Sequence, residues 1–110
     1  MPSANKHLKV KKQDCPITLC LSLIGGKWKP LILFLIENRV NRFGLIHRNM
    51  SSVSKHILTK DLRELEAAEV ISRTVHAEVP PRVEYALTER GKSLLPIIRA
   101  MKNWGEKYGS

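Results

Sequence analysis

The stretch from Ser54 to Leu87, SKHILTKDLRELEAAEVISRTVHAEVPPRVEYAL, constrains this chain more than any other. On a helical wheel Leu58, Leu62 and Leu65 fall on one side. His56, Thr59, Lys60 and Arg63 fall on the other, within about 100° of arc at 3.6 residues per turn. The leucine side must pack inside a protein. Ser54 suits the cap, because its hydroxyl can accept a free N–H of the first turn. Beyond Ala68 the period changes. Ile71 to Ala77 and Arg82 to Leu87 are rich in Val, Ile, Thr and Tyr and read as two strands. Glu78-Val79-Pro80-Pro81 between them cannot continue a ladder, because proline has no N–H to donate. The segment is therefore a helix followed at once by a hairpin with a proline-marked tip.

The flanks supply more helices. Pro16 fits a first turn, and Ile17 to Ile24 form a short apolar helix ended by Gly25-Gly26. A second helix is expected over Lys27 to Asn38, with Leu31, Ile32, Leu35 and Ile36 on its apolar face. The polar link Arg39 to Arg42 leads to a third helix over Phe43 to Arg48, broken by Ser51-Ser52. Thr88 can cap a last helix reaching Tyr108, with Pro96 a kink or a restart. The fold class is mainly α with a small β-hairpin. A short helix, a serine turn, a basic helix and a hairpin in that order make a winged helix-turn-helix. No internal repeat is visible.

At 110 residues the chain is read as one domain, residues 14–108, preceded by a flexible basic arm over 1–13. The arm is either a solvated tail or a contact for phosphates or a partner subunit. A formal net charge of +9 favours nucleic acid or an anionic membrane as partner. The arm lacks the apolar core of a signal peptide, and the apolar run Leu31 to Ile36 is too short to cross a bilayer. No membrane role is expected. Two cysteines make no disulfide framework, so a cytoplasmic protein with reduced thiols is expected.

In helix-turn-helix docking the N-terminal part of the second helix enters the major groove. Ser54, Lys55, His56 and Thr59 are accordingly candidates for base edges of double-stranded DNA, and Lys60 and Arg63 for phosphates. Arg63 has an alternative, an ion pair with Glu64 or Glu66. The hairpin adds Arg73, His76 and Arg82 around its tip, where a basic side chain can lie along the DNA backbone or enter the minor groove, with Arg82 expected mainly on phosphates; Glu78 and Glu84 temper the charge. The leading function is a sequence-specific DNA-binding regulator. The alternative is a winged-helix module that binds protein or RNA through a merely electrostatic face. An enzyme finds no support: there is no HExxH, no CxxC, no Gly-rich phosphate loop and no paired carboxylate set. The four histidines show no ligand spacing, so neither metal nor cofactor is expected.

Further motifs carry a resemblance. GGKWK at 25–29, RF at 42–43, LTKDLRELE at 58–66, ISRTV at 71–75, EVPPRVEYALTERG at 78–91 and NWG at 103–105 resemble the HxlR-type winged-helix regulators. Cys15-Pro16 before the first helix fits as well. The chain departs from the family at Leu45-Ile46, and at Asn38–Asn41, where a Gly-Pro turn is common. The resemblance implies a homodimeric bacterial or archaeal transcription regulator, often autoregulatory or acting on a neighbouring gene. It also implies that a cysteine before this proline senses oxidants or electrophiles in some members.

Two features bear on these expectations. Cys15 sits at a helix N-terminus near Lys11 and Lys12, which favours the thiolate, while Asp14 opposes it. It is read as a redox sensor or an inert thiol; Cys20, among leucines, is read as packing. The last helix carries Ile97, Ile98, Met101, Trp104 and Tyr108 at helical spacing, and the first carries Ile17 and Leu21. A small domain cannot easily bury both sets, so these seven residues are expected to join two copies across a two-fold axis. Trp28 and Trp104 are read as core or interface anchors. The effector, if there is one, has no sequence signature.

Overall fold

A computed structural model describes residues 15–109. The basic arm assigned to residues 1–13 lies outside the described residues. The elements run α1 (Pro16–Ile24), α2 (Lys29–Glu37), α3 (Phe43–Asn49), α4 (Lys55–Ala67), β1 (Ile71–His76), β2 (Arg82–Leu87), α5 (Glu89–Ser93) and α6 (Leu95–Tyr108). No single helix among them is long and apolar enough to cross a membrane.

The core forms where the apolar stripes of α2, α3 and α4 meet under the hairpin. Ile32 and Leu33 of α2, Ile46 of α3, and Leu58, Leu62 and Leu65 of α4 are almost wholly enclosed. Val70, Ile71 and Tyr85 close it from the hairpin, and Leu94 and Ile98 close it from the C-terminal end. Burying each such side chain contributes about 1.5–3 kcal/mol.

The helix ends explain how the core is reached without the expected glycines. α1 stops at Gly25, whose N–H donates to the Leu21 carbonyl at 2.6 Å; Gly26 follows at φ +99°. That turn delays α2 to Lys29, two residues later than its periodicity suggests. α2 and α4 each end in a Schellman motif. The Arg39 and Val40 N–H groups donate to Ile36 and Leu35, and those of Glu69 and Val70 donate to Glu66 and Leu65. Arg39 and Glu69 hold the left-handed position at φ 67° and 62°. A side chain there costs about 1–2 kcal/mol. The cost is offset by the recovered carbonyls and by the valine that follows, buried at 70 and partly buried at 40. The Asn38–Asn41 link thus turns without the family's Gly-Pro.

The hairpin is antiparallel, in register from Ile71 opposite Leu87 to His76 opposite Arg82. Its free edge is tied to the bundle where the Tyr85 N–H donates to the Asn41 carbonyl at 2.9 Å. The expected last helix is two helices. Thr88 caps α5 by accepting from the Gly91 N–H at 3.0 Å, and its hydroxyl donates to Glu69 at 2.6 Å. Pro96 lacks the N–H that would bond Lys92, so the chain turns at Leu94 and restarts as α6.

Gly91 is enclosed beside the Val70 carbonyl, and a Cβ added there would collide with that oxygen. Gly91→Ala is expected to destabilise the fold by about 1–3 kcal/mol in urea unfolding. Lys92→Ala, one residue on and exposed, serves as control. An unchanged midpoint for Gly91→Ala would refute the close-approach reading.

Candidate nucleic-acid interface

Helices α3 and α4 make the helix-turn-helix. The turn between them is pinned by Met50 and Val53, both buried, and by the Val53 N–H donating to Met50 at 2.9 Å. His47 Nε2–H donates to the Val53 carbonyl at 2.9 Å, and the His47 ring stacks on Phe43. Ser54 caps α4, its Oγ accepting the Ile57 N–H at 3.1 Å. With the leucines turned inward, Lys55 and His56 stand exposed on the first turn.

The other basic residues differ in how free they are. Lys60 is 62% exposed, yet its Nζ lies 3.0 Å from Glu64, which Lys29 of α2 approaches to 2.7 Å. Lys29 first, then Lys60, holds the Glu64 carboxyl below the usual carboxylate range, and Glu64 raises Lys60. The bridge is complete above the ordinary carboxylate pKa and is lost as pH falls through the lowered one. Lys60, expected on phosphates, thus already has a carboxylate partner. With Glu64 taken by the lysines, Arg63 has no carboxylate within 4.0 Å among the described residues, and neither alternative ion pair forms.

The hairpin corrects two expectations. Arg73 is not near the tip. It stands opposite Tyr85, on the face it shares with buried Ile71, because side chains two apart on a strand share a face. It lines a cavity of about 290 Å³ with Phe43, Thr59, Leu62, Arg63, Glu66 and Tyr85. Thr59, expected on base edges, also turns toward this cavity and is half-buried. Arg82 is at the tip, but it does not project freely. Its guanidinium lies 3.4 Å from Glu78 and 3.9 Å from Glu84, and its Nε is buried without a partner. Glu84 also meets His76 at 2.7 Å and Arg42 at 3.9 Å. The tip is therefore a locally balanced charge network rather than a cationic finger. Arg42, which sits in the RF motif and has no predicted role, ties this network to the start of α3.

The faces expected at a dimer contact are largely uncovered. Ile17 is 73% exposed and Trp104 is 64% exposed; Leu21, Ile97, Met101 and Tyr108 are also exposed. The Trp104 and Tyr108 rings lie 5.3 Å apart. Ile98 is a correction: at 4% exposed it belongs to this chain's own core. Ile97 and Ile98, about 100° apart on α6, fall on either side of the boundary between the exposed face and the core. Trp28 is partly buried against the core, as is Cys20.

Cys15 is the N-cap of α1 and half-buried. Its thiol pKa is lowered, chiefly by the Thr18 hydroxyl and then by the Thr18 N–H; the Ile17 N–H acts the same way, and partial desolvation opposes them. These donors favour a thiolate, although no full capping hydrogen bond is made.

A capped helix with an exposed basic first turn, behind a short helix and ahead of a hairpin, defines a winged helix-turn-helix. The chain matches the HxlR-like helix-turn-helix family over residues 23–110 and belongs to it. It is 47% identical over 96 residues to an HTH-type transcriptional regulator of Methanothermobacter thermautotrophicus, covering 87% of this chain and 73% of that one. It is 42% identical over 104 residues to the HTH-type transcriptional regulator YybR of Bacillus subtilis, covering 94% and 83%. Among solved structures it resembles the redox regulator HypR in its oxidised form, with TM-score 0.83 and 42% identity over 87% of this chain and 99% of that one. The reduced form of HypR gives TM-score 0.80 and 42% identity over 84% and 92%. The protein is a helix-turn-helix transcriptional regulator.

Proposed function

We propose that this regulator works as a homodimer that reads double-stranded DNA with α4 and responds to oxidants or electrophiles through Cys15. The observation that carries the DNA reading is the first turn of α4. Ser54 is fixed as its cap, and Lys55 and His56 project beside it with no carboxylate within 4.0 Å among the described residues. His56 and Lys55 meet base edges. Arg63 and Arg73 meet phosphates, and Arg82 and Lys60 mainly hold the reading elements in shape.

The dimer reading rests on the uncovered apolar faces of α1 and α6. Residues 14–108 form the working domain, the arm over 1–13 adds basic charge, and the protein acts in the cytoplasm without catalysing a reaction. The sensor reading rests on the thiolate-favouring position of Cys15 and on the likeness to HypR, a protein described as a redox regulator.

Binding to the duplex upstream of its own gene, measured against a random duplex of equal length, tests the function. Diamide or quinone treatment is expected to change that affinity by about 5–150-fold, the usual range of coupling between sites. Cys15→Ser should abolish the change. A full response in that variant would clear Cys15 and turn attention to Cys20.

A further inference from the structure

We propose that α4 and the hairpin jointly form a clamp for one DNA backbone phosphate, with Arg63 and Arg73 as its two arms. The proposal rests on the DNA-binding reading and assigns a site within it. The two arginines come from different elements, α4 and β1, and line the same cavity. Of the basic residues on the reading side, Lys60, Arg42 and Arg82 are engaged by Glu64, Glu78 or Glu84. Arg63 and Arg73 have no such partner within 4.0 Å among the described residues. Two arginines without a carboxylate partner that line one cleft bring like charges toward each other in the free protein. An anion between them offsets that charge and accepts from both forks.

The chemistry of the cleft suits a phosphodiester. Arginine offers planar, paired donors that match the non-bridging oxygens of a phosphate. Thr59 and Tyr85, which line the same space, each carry a hydroxyl. At about 290 Å³ the cavity sits at the lower edge of the roughly 300–1,000 Å³ typical of pockets that enclose a drug-sized molecule. Glu66 also lines it. That carboxylate opposes an anion, so its removal should strengthen the site. The clamp gives the wing its hold on DNA at its base, where Arg73 is free, rather than at its tip, where Arg82 is neutralised.

The test is a double-mutant cycle read by fluorescence anisotropy on the upstream duplex and on a random duplex, across a salt titration, with the full chain. Arg63→Ala and Arg73→Ala are each expected to weaken both duplexes by about 10–100-fold, the range for a hydrogen bond to a charged group. The double variant should lose less than the product of the two. Its salt slope should fall by about one unit, as for one phosphate. Glu66→Gln should bind both duplexes more tightly. Arg63→Lys and Arg73→Lys keep the charge without the fork and should fall between wild type and alanine, with unchanged melting curves. Multiplicative losses with a slope change of about two units would mean two separate phosphates and overturn the clamp. So would a double variant that binds like wild type. Inorganic phosphate, titrated at matched ionic strength, should not displace DNA; saturable displacement would assign the cleft to a small anion and overturn the proposal. If the wild-type chain bound neither duplex, the DNA-binding reading itself would fail, a result distinct from the others.

Discussion

Raising the salt concentration from 50 to 200 mM is expected to weaken binding to the upstream duplex by roughly 10³–10⁵-fold, as for proteins that neutralise about 6–10 phosphates. A dimer presents two copies of α4 and two wings, so each protomer needs to supply only three to five contacts. Arg63 and Arg73 together supply one phosphate contact on each, and the exposed charges of Arg48 at the end of α3 and of Lys55 beside its base-edge role add to it. Lys60 and Arg82 are held by carboxylates, which places the expectation in the lower half of the range. Random duplex should show nearly the same slope at lower affinity, because phosphate contacts carry no sequence information. A flat salt response would remove DNA as the main partner, whatever the net charge of +9 suggests.

The second large effect concerns assembly. Met101→Asp and Trp104→Asp are each expected to weaken the dimer by about 10²–10⁴-fold. In a two-fold interface each change counts twice, and each buried apolar side chain contributes about 1.5–3 kcal/mol. Sedimentation should show monomers at micromolar concentration, and operator affinity should fall with them. The protomer should stay folded, because both residues are exposed in it. Ile98→Asp would not serve, since it places a charge in the core. A wild-type chain that sediments as a monomer at micromolar concentration would contradict the dimer.

What the sequence disclosed and what it withheld follow from the range of the forces involved. The three leucines of α4 and the caps at Ser54 and Thr88 are local patterns, and the structure has each in its expected role. The split of the last helix was open as a kink or a restart, because Pro96 permits both. The turns at Arg39 and Glu69 were not legible as left-handed positions, since residues with side chains rarely occupy them and only the tertiary packing of Val40 and Val70 compensates. Ile97 and Ile98 are equally apolar, so periodicity identifies a stripe without saying which edge faces the chain's own core. The Lys60–Glu64 pair was readable from its four-residue spacing. Its tightening by Lys29 was not, because that contact joins helices far apart in sequence. Arg73 is near the tip in sequence but not in space. Its alternation with Ile71 was the signal that put it on the inner face.

The role of α4 is tested most directly by comparing upstream and random duplexes for the wild type and for Lys55→Ala, His56→Ala and Thr59→Ala at one fixed salt concentration. Loss of a base contact costs about 1–3 kcal/mol at one base pair. His56→Ala is therefore expected to cut the preference for the upstream duplex by about 5–150-fold while leaving affinity for random DNA nearly unchanged. If all three variants kept the wild-type preference, α4 would not be the helix that reads the sequence.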